Sequence, residues 1–366
     1  MVKIKRSNLR TSLAYVEINA KATRSAPLVG QTTDNGFLDL WQTGGYMRVW
    51  DRVEVEEGDE PLVFAVPCSN LKQIVDSFSS KQISLKAVER KLHLSSGKSR
   101  VRIPFYTAAE DSVVPPPEVE KTMTVGGDFV SALTEGAAFL AKTDEKPTLS
   151  CYSIHQRNGS LRIVASNDAF NLYSRDIPYS GDDFDPILLP RECGQTISKA
   201  FNKSKELSIG LTSNDLVVVT EIDGTRVLAT AQFTGMYPDA GELIDSEVSA
   251  LFSAPKSSLL DMCKLSSHMT DSGLLSFEGV GDEIRVRFPK TQSIDGDLYL
   301  EGSKVLREFP RIYFNVGFVS NCLNVVDDDE ISFSAVKGRY AGGAFTFTGS
   351  GQPRTYCYKV SYTDTV

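Results

Sequence analysis

The stretch VPCSNLKQIVDSF, residues 66–78, has two later counterparts in the same chain, LPRECGQTISKAF at 189–201 and FNVGFVSNCLNVV at 314–326. Their first residues are 123 and 125 positions apart. Each holds an apolar pair four residues apart (Ile74 and Phe78, Ile197 and Phe201, Cys322 and Val326), which marks one stripe of a helix. Pro67 and Pro190 stand where a helix accepts proline, at its start. Asn315 takes that place in the third copy and can cap a helix through its side chain.

Two further landmarks keep step with this phrase. A helical pattern precedes it each time, through Leu9, Leu13 and Val16, then Phe129, Leu133 and Leu140, then Leu259, Met262 and Cys263. The distances from Leu9, Leu133 and Leu259 to the following phrase are 57, 56 and 55 residues. Alternating strand patterns follow it from Ile83, Leu207 and Ile331, at two intervals of 124 residues. Each unit therefore reads as helix, strands, helix, strands. The period is too long for a solenoid repeat, so the units are whole domains. Linkers are expected at 108–122, AAEDSVVPPPEVEKT, and at 237–255, YPDAGELIDSEVSALFSAP, giving domains at 1–120, 121–252 and 253–366.

Composition narrows the function. The 366 residues, 41% hydrophobic and 23% charged, suit two or three folded domains. The first residues lack the apolar core of a signal peptide, and no stretch approaches the ~18 apolar residues of a membrane span, so a soluble intracellular protein is expected. Cysteines 68, 151, 193, 263, 322 and 357 are scattered singly and read as buried free thiols. Histidines 93, 155 and 268 lie far from other metal-ligand residues at useful spacing, so no metal or other cofactor is expected. The acidic runs GDDFD (181–185) and VDDDE (326–330) read as solvated turns. No P-loop, GxGxxG, GxSxG or HExxH motif is present, which argues against an enzyme. A net charge of −8 argues against a simple basic nucleic-acid binder. A non-enzymatic virion-type protein of duplicated sheet domains would also explain repetition and acidity.

The order of five segments resembles the bacterial DNA sliding clamp, the beta subunit of the replicative DNA polymerase. They are VPCSNLKQIVDSF and LHLSSGKSRVRIP (92–104), LRIVASNDAFNLY (161–173) and TGMYPDAGELI (234–244), and FNVGFVSNCLNVV. The resemblance implies an α+β fold of three tandem DNA-clamp domains, each with two helices packed on antiparallel sheets. Two chains would close head to tail into a ring around duplex DNA. Partners would be duplex DNA of any sequence, a DNA polymerase and a clamp loader, in the cytoplasm of a bacterial or phage-infected cell, with no membrane.

Residues follow from the same resemblance. The ring contact falls on Val101 and Ile103 of the first domain and on Lys264 and Leu265 of the third, where Lys264 replaces an apolar residue of the family. The basic inner positions fall on Arg10, Arg24, Lys72, Lys142, Lys146, Lys199 and Lys203, with Lys256, His268, Asn321 and Asn324 the nearest equivalents in the third domain. Contacts there would reach phosphates and carry no sequence information. The groove for partner peptides maps to Leu149, Ser166, Phe170, Leu172, Pro238, Leu243, Val360 and Tyr362. Two departures imply an altered peptide preference. NDAFN (167–171) replaces a Gly-His-Arg loop, and the polar SYTDTV ends the chain where the family has a short apolar and basic terminus.

Overall fold

The recurring phrase is helical each time it occurs. The computed structural model places helices at Cys68–Ser77 (α2), Arg191–Ala200 (α4) and Val316–Asn324 (α7). Strands follow them from residues 82, 206 and 330. A second set of helices each follows a strand with at most one residue between: Arg6–Ala20 (α1), Asp128–Gly136 (α3) and Lys256–Met269 (α6). A short helix at Gly241–Ile244 (α5) completes the set. The residues described are 1–20, 27–44, 47–58, 60–106, 114–142, 146–167, 171–214, 216–269, 273–288, 297–336, 344–348 and 354–358.

The apolar stripes decide how these helices bury themselves. Leu9, Leu13 and Val16 of α1 are fully buried, and α1 packs on α2 and on the strands at 37–44 and 47–54. In α2 the buried face is Cys68, Leu71 and Val75. Ile74, the residue singled out by the four-residue spacing, is half-buried, while its partner Phe78 is inside. Asn315 caps α7, its side-chain oxygen accepting from the amide of Gly317 at 2.9 Å. The five cysteines whose side chains are described are free and buried.

Contacts divide the chain into two units. The first comprises Met1–Ser131, Pro178–Phe184 and Glu192–Gln232, the second Ala132–Ile177, Asp185–Arg191 and Phe233–Val366. Every described strand pair is antiparallel, so the fold class is α+β.

The first unit has a five-stranded sheet in the order Glu57–Gly58, Val2–Lys5, Gln82–Val88, Lys91–Ser96, Ser99–Pro104. Its nine-stranded sheet runs Tyr179–Gly181, Lys121–Gly126, Glu206–Leu211, Leu216–Glu221, Val227–Ala231, Met47–Glu54, Phe37–Gly44, Leu28–Thr32, Val63–Val66. Strands from distant parts of the chain meet where Val227 pairs with Trp50. Trp41, Trp50, Val218 and Ala229 bury themselves together beside that seam.

The second unit repeats this plan. Its nine-stranded sheet runs Ile187–Pro190, Cys151–Arg157, Ser160–Ser166, Asn171–Ile177, Arg354–Tyr358, Ala344–Thr348, Glu330–Val336, Val248–Pro255, Lys304–Val305. A four-stranded sheet runs Asp297–Tyr299, Glu283–Arg287, Leu274–Val280, Ile312–Asn315. An aromatic cluster joins the two: Phe333 lies 4.8 Å from Phe252, 5.9 Å from Phe277 and 5.6 Å from Phe314 between ring centres. The middle third of the sequence thus gives strands to both long sheets, and for that reason contacts separate two units while the sequence shows three repeats.

The segment 237–255, expected as a linker, is ordered structure. It forms α5 and then the strand Val248–Pro255, paired with Glu330–Val336. Among the described residues no helix is long and apolar enough to cross a membrane.

Candidate partner-peptide site and basic surface

The second unit assembles most of the residues matched to a peptide groove. Ser166 pairs with Leu172 across two strands, and Leu172 pairs with Tyr356 across the next. Leu172 and Leu243 belong to one buried cluster with Val164, Ile244 and Val336, against which Tyr237 and Ala240 pack. Leu149, Ser166, Leu172 and Leu243 are all buried, whereas Pro238 is exposed. Phe170, Val360 and Tyr362 lie outside the described residues.

An open cavity of about 380 Å³ lies over this floor, walled by His155, Val164, Leu188, Met236, Pro238 and Ile244 among others. Among the described residues Pro238 alone belongs to both the cavity and the groove read from the sequence. His155, Leu188 and Met236 were not singled out by sequence. For His155 and Leu188 the signal is the strand register, since Ser153 faces both Val164 and Leu188 and thus puts these strands on one surface; Met236 lies outside the strands. Met236 is 89% exposed at the rim, the most exposed large apolar side chain described. Burial holds the His155 imidazole below its usual range, and the nearby Arg162 and Arg157 charges act in the same direction.

Buried charge fixes the loop that carries Pro238 and Leu243. The Arg162 side chain, 7% exposed, donates twice to Asp176 at 2.6 and 2.8 Å and once to Asp245 at 2.8 Å. Arg157 also pairs with Asp245. Arg354 donates to the carbonyl of Ile244 at 2.9 Å, and the Asp239 carboxylate accepts from the amide of Gly241 at 2.7 Å. The ends of the NDAFN segment are closed by a bond from the Asn171 amide to the Asn167 side chain and one from the Asn167 amide to the Asn171 carbonyl.

The basic positions differ in how far they are engaged. Asp76 takes Arg10 at 2.7 Å and Lys72 at 3.0 Å, and Glu17 stands 3.6 Å from Lys72. The hydrogen bond from Lys72, followed by that from Arg10, holds the Asp76 carboxyl below its usual range. Lys142, Lys146, Lys199 and Lys203 are exposed, and Arg24 lies outside the described residues. Lys256 donates to the carbonyl of Val326.

The four residues matched to a ring contact differ in exposure. Ser99–Pro104 is the outer strand of its sheet, where Val101 is half-buried and Ile103 is buried within its own unit. On α6, Lys264 is exposed and pairs with Asp261 at 3.3 Å, and Leu265 is exposed beside it. An exposed pair of this kind contributes little stability, so Lys264 is available for a different partner.

No protein-family model matches the sequence, and no curated protein matches it. Solved structures do. The chain superposes on a DNA polymerase sliding clamp from Pseudomonas aeruginosa with a TM-score of 0.85 at 16% identity, covering 99% of this chain and 100% of that one. The DNA polymerase III beta subunit from Thermotoga maritima gives 0.83 at 16% identity, with 99% of each chain covered. A Helicobacter pylori beta clamp bound to a DNA ligase peptide gives 0.82 at 16% identity, over 99% of this chain and 100% of that one. The chain has the fold of these clamps along its whole length.

Proposed function

We propose that the protein is a DNA polymerase processivity factor, a sliding clamp in which two chains close head to tail around duplex DNA. The observation that carries this reading is likeness to clamps over 99% of the chain at a TM-score of 0.85. The helix-and-strand order recurring every 123 to 125 residues supports it, since helices α2, α4 and α7 begin at 68, 191 and 316. Three clamp domains, at 1–120, 121–252 and 253–366, are part of the proposal. So are cytoplasmic location and a non-catalytic role. Among the described residues no three His, Cys, Asp or Glu side chains are grouped to hold a metal ion.

Enclosure reconciles this role with a net charge of −8. A closed ring leaves DNA only by opening or by running off an end, so few phosphate contacts are needed, and those present permit sliding. Closure also answers a structural hazard. Among the described residues no further strand pairs with the outer strand Ser99–Pro104 or with the outer strands of the four-stranded sheet, and a heterologous contact closing after two chains would cover such edges. Val101, Lys264 and Leu265 supply side chains for that contact, with Ile103 supporting the strand from inside. The virion-type alternative offers no reason for the clamp fold through the entire chain.

A polymerase held by the ring meets its primer end at high effective concentration, and product length grows without new catalytic chemistry. The peptide of such a partner would enter beside Pro238 and Phe170, above the floor of Leu149, Ser166, Leu172 and Leu243, with Val360 and Tyr362 completing the groove. Phe170→Ala combined with Pro238→Ala is expected to shorten primer-extension products to the length made without clamp, with the dimer unchanged by sedimentation. Full-length products from the double variant would move the partner site elsewhere.

A further inference from the structure

A recess at the start of α1, separate from every residue assigned above except Arg10, is the second cavity of interest. We propose that it binds phosphate groups, taken from a nucleic-acid strand or from a free nucleotide. Its volume is about 640 Å³, and Lys5, Arg6, Arg10 and Lys81 all line it. Among the described residues Glu56 is the one carboxylate in that lining. Four cations against one acid is a local reversal in a chain whose net charge is −8.

Ion pairing leaves much of this charge available. Glu56 lies 3.6 Å from Lys5, and Asp76, just outside the recess, takes Arg10 at 2.7 Å. Among the described residues no carboxylate pairs with Arg6 or Lys81. The Arg6 guanidinium is held in place by donating to the carbonyls of Val75 and Asp76, both at 2.9 Å, so its charge is positioned before any ligand arrives. Its own amide donates to the Lys81 carbonyl at 2.8 Å, which ties the loop carrying Lys81 to the first turn of α1.

The remaining lining fits the same ligand. Ser7, Ser79 and Ser80 place hydroxyl groups in the recess, and hydroxyls donate readily to phosphate oxygens. The positive end of a 15-residue helix adds to the field. Among the described residues no aromatic side chain lines the cavity, so none of them stacks on a base. Recognition is therefore of phosphate and not of base identity. This inference stands on the recess alone and does not require the clamp reading.

Inorganic tripolyphosphate, titrated calorimetrically into the full-length protein at low salt, is expected to bind. Lys5→Ala with Lys81→Ala, two exposed positions, should weaken it at least tenfold at unchanged melting temperature. Lys81→Arg, which keeps the charge, should retain binding. A labelled oligothymidylate distinguishes the sources. Displacement of the oligonucleotide by tripolyphosphate, with loss of both in the double variant, assigns the site to a strand. Tripolyphosphate binding without such competition assigns it to free nucleotides. Absence of binding by both probes at millimolar concentration, or equal binding by wild type and double variant, overturns the proposal, even if the protein proves to be a clamp.

Discussion

Phe333→Ala is expected to destabilise the second unit by about 3–5 kcal/mol, the cost of emptying a well-packed aromatic site. Phe333 is fully buried. Its ring sits between Phe252 of the nine-stranded sheet and Phe277 and Phe314 of the four-stranded one. Truncation therefore removes packing from two sheets at once and leaves a void that three rigid rings cannot collapse to fill. Phe333→Leu keeps most of the volume and should cost under about 1.5 kcal/mol. Urea unfolding followed by tryptophan fluorescence would miss this, because both tryptophans, Trp41 and Trp50, lie in the first unit. Hydrogen exchange at 248–255 and 330–336 reads the right place. Equal protection in the alanine variant and the wild type would show that the cluster does not hold the sheets together.

Arg162→Ala should have the next largest effect, about 2–3 kcal/mol. A fully buried ion pair broken on one side costs roughly 3–5 kcal/mol. Here Asp176 and Asp245 keep 44% and 33% of their side-chain surface in solvent, and water recovers part of the loss. The effect should be focused on the 237–245 loop, because Asp245 loses its Arg162 bond while retaining Arg157. Hydrogen-exchange protection of that loop is expected to fall, and partner-peptide affinity to fall with it. Arg162→Lys restores charge but cannot fork to two carboxylates, so it should recover only part of the stability. A fully stable Arg162→Ala protein with a protected loop would show that Asp245 needs no partner from that strand.

Much of the fold was legible because helix and strand periods repeat. The cap at Asn315, the buried stripe of α1 and the three helices at the recurring phrase all follow from side chains adjacent in sequence. The segment 237–255 was hidden for a local reason. The pairing of Val248–Pro255 shifts register between Ala250 and Phe252, so the alternation that reveals a strand is interrupted where it would be read. Ile74 misled for another reason, since the four-residue spacing fits two neighbouring faces of α2 and the core chose the one through Leu71 and Val75.

Site residues were less legible because their surroundings are long-range. The residue that restrains Arg10 lies 66 positions away, at Asp76. Nothing in the local sequence of α1 indicates that the arginine expected to reach DNA is already engaged. In the groove, Leu149, Leu172 and Leu243 are buried and so are floor and not open anchors: Tyr237 and Ala240 pack against the cluster that holds Leu172 and Leu243, while Met236 and Pro238 stand at the surface. Charge within the recess of Lys5 and Lys81 was likewise invisible in a sequence read for helices, since a strand, a helix and a loop each contribute to it.

Retention by topology is tested by cutting the DNA. Protein loaded by its clamp loader onto a nicked circular plasmid is expected to stay bound through gel filtration in salt high enough to screen phosphate contacts. It should leave once a restriction enzyme linearises the circle. Equal retention on circular and linear DNA would contradict enclosure, and would make the protein a binder that holds its duplex by contact.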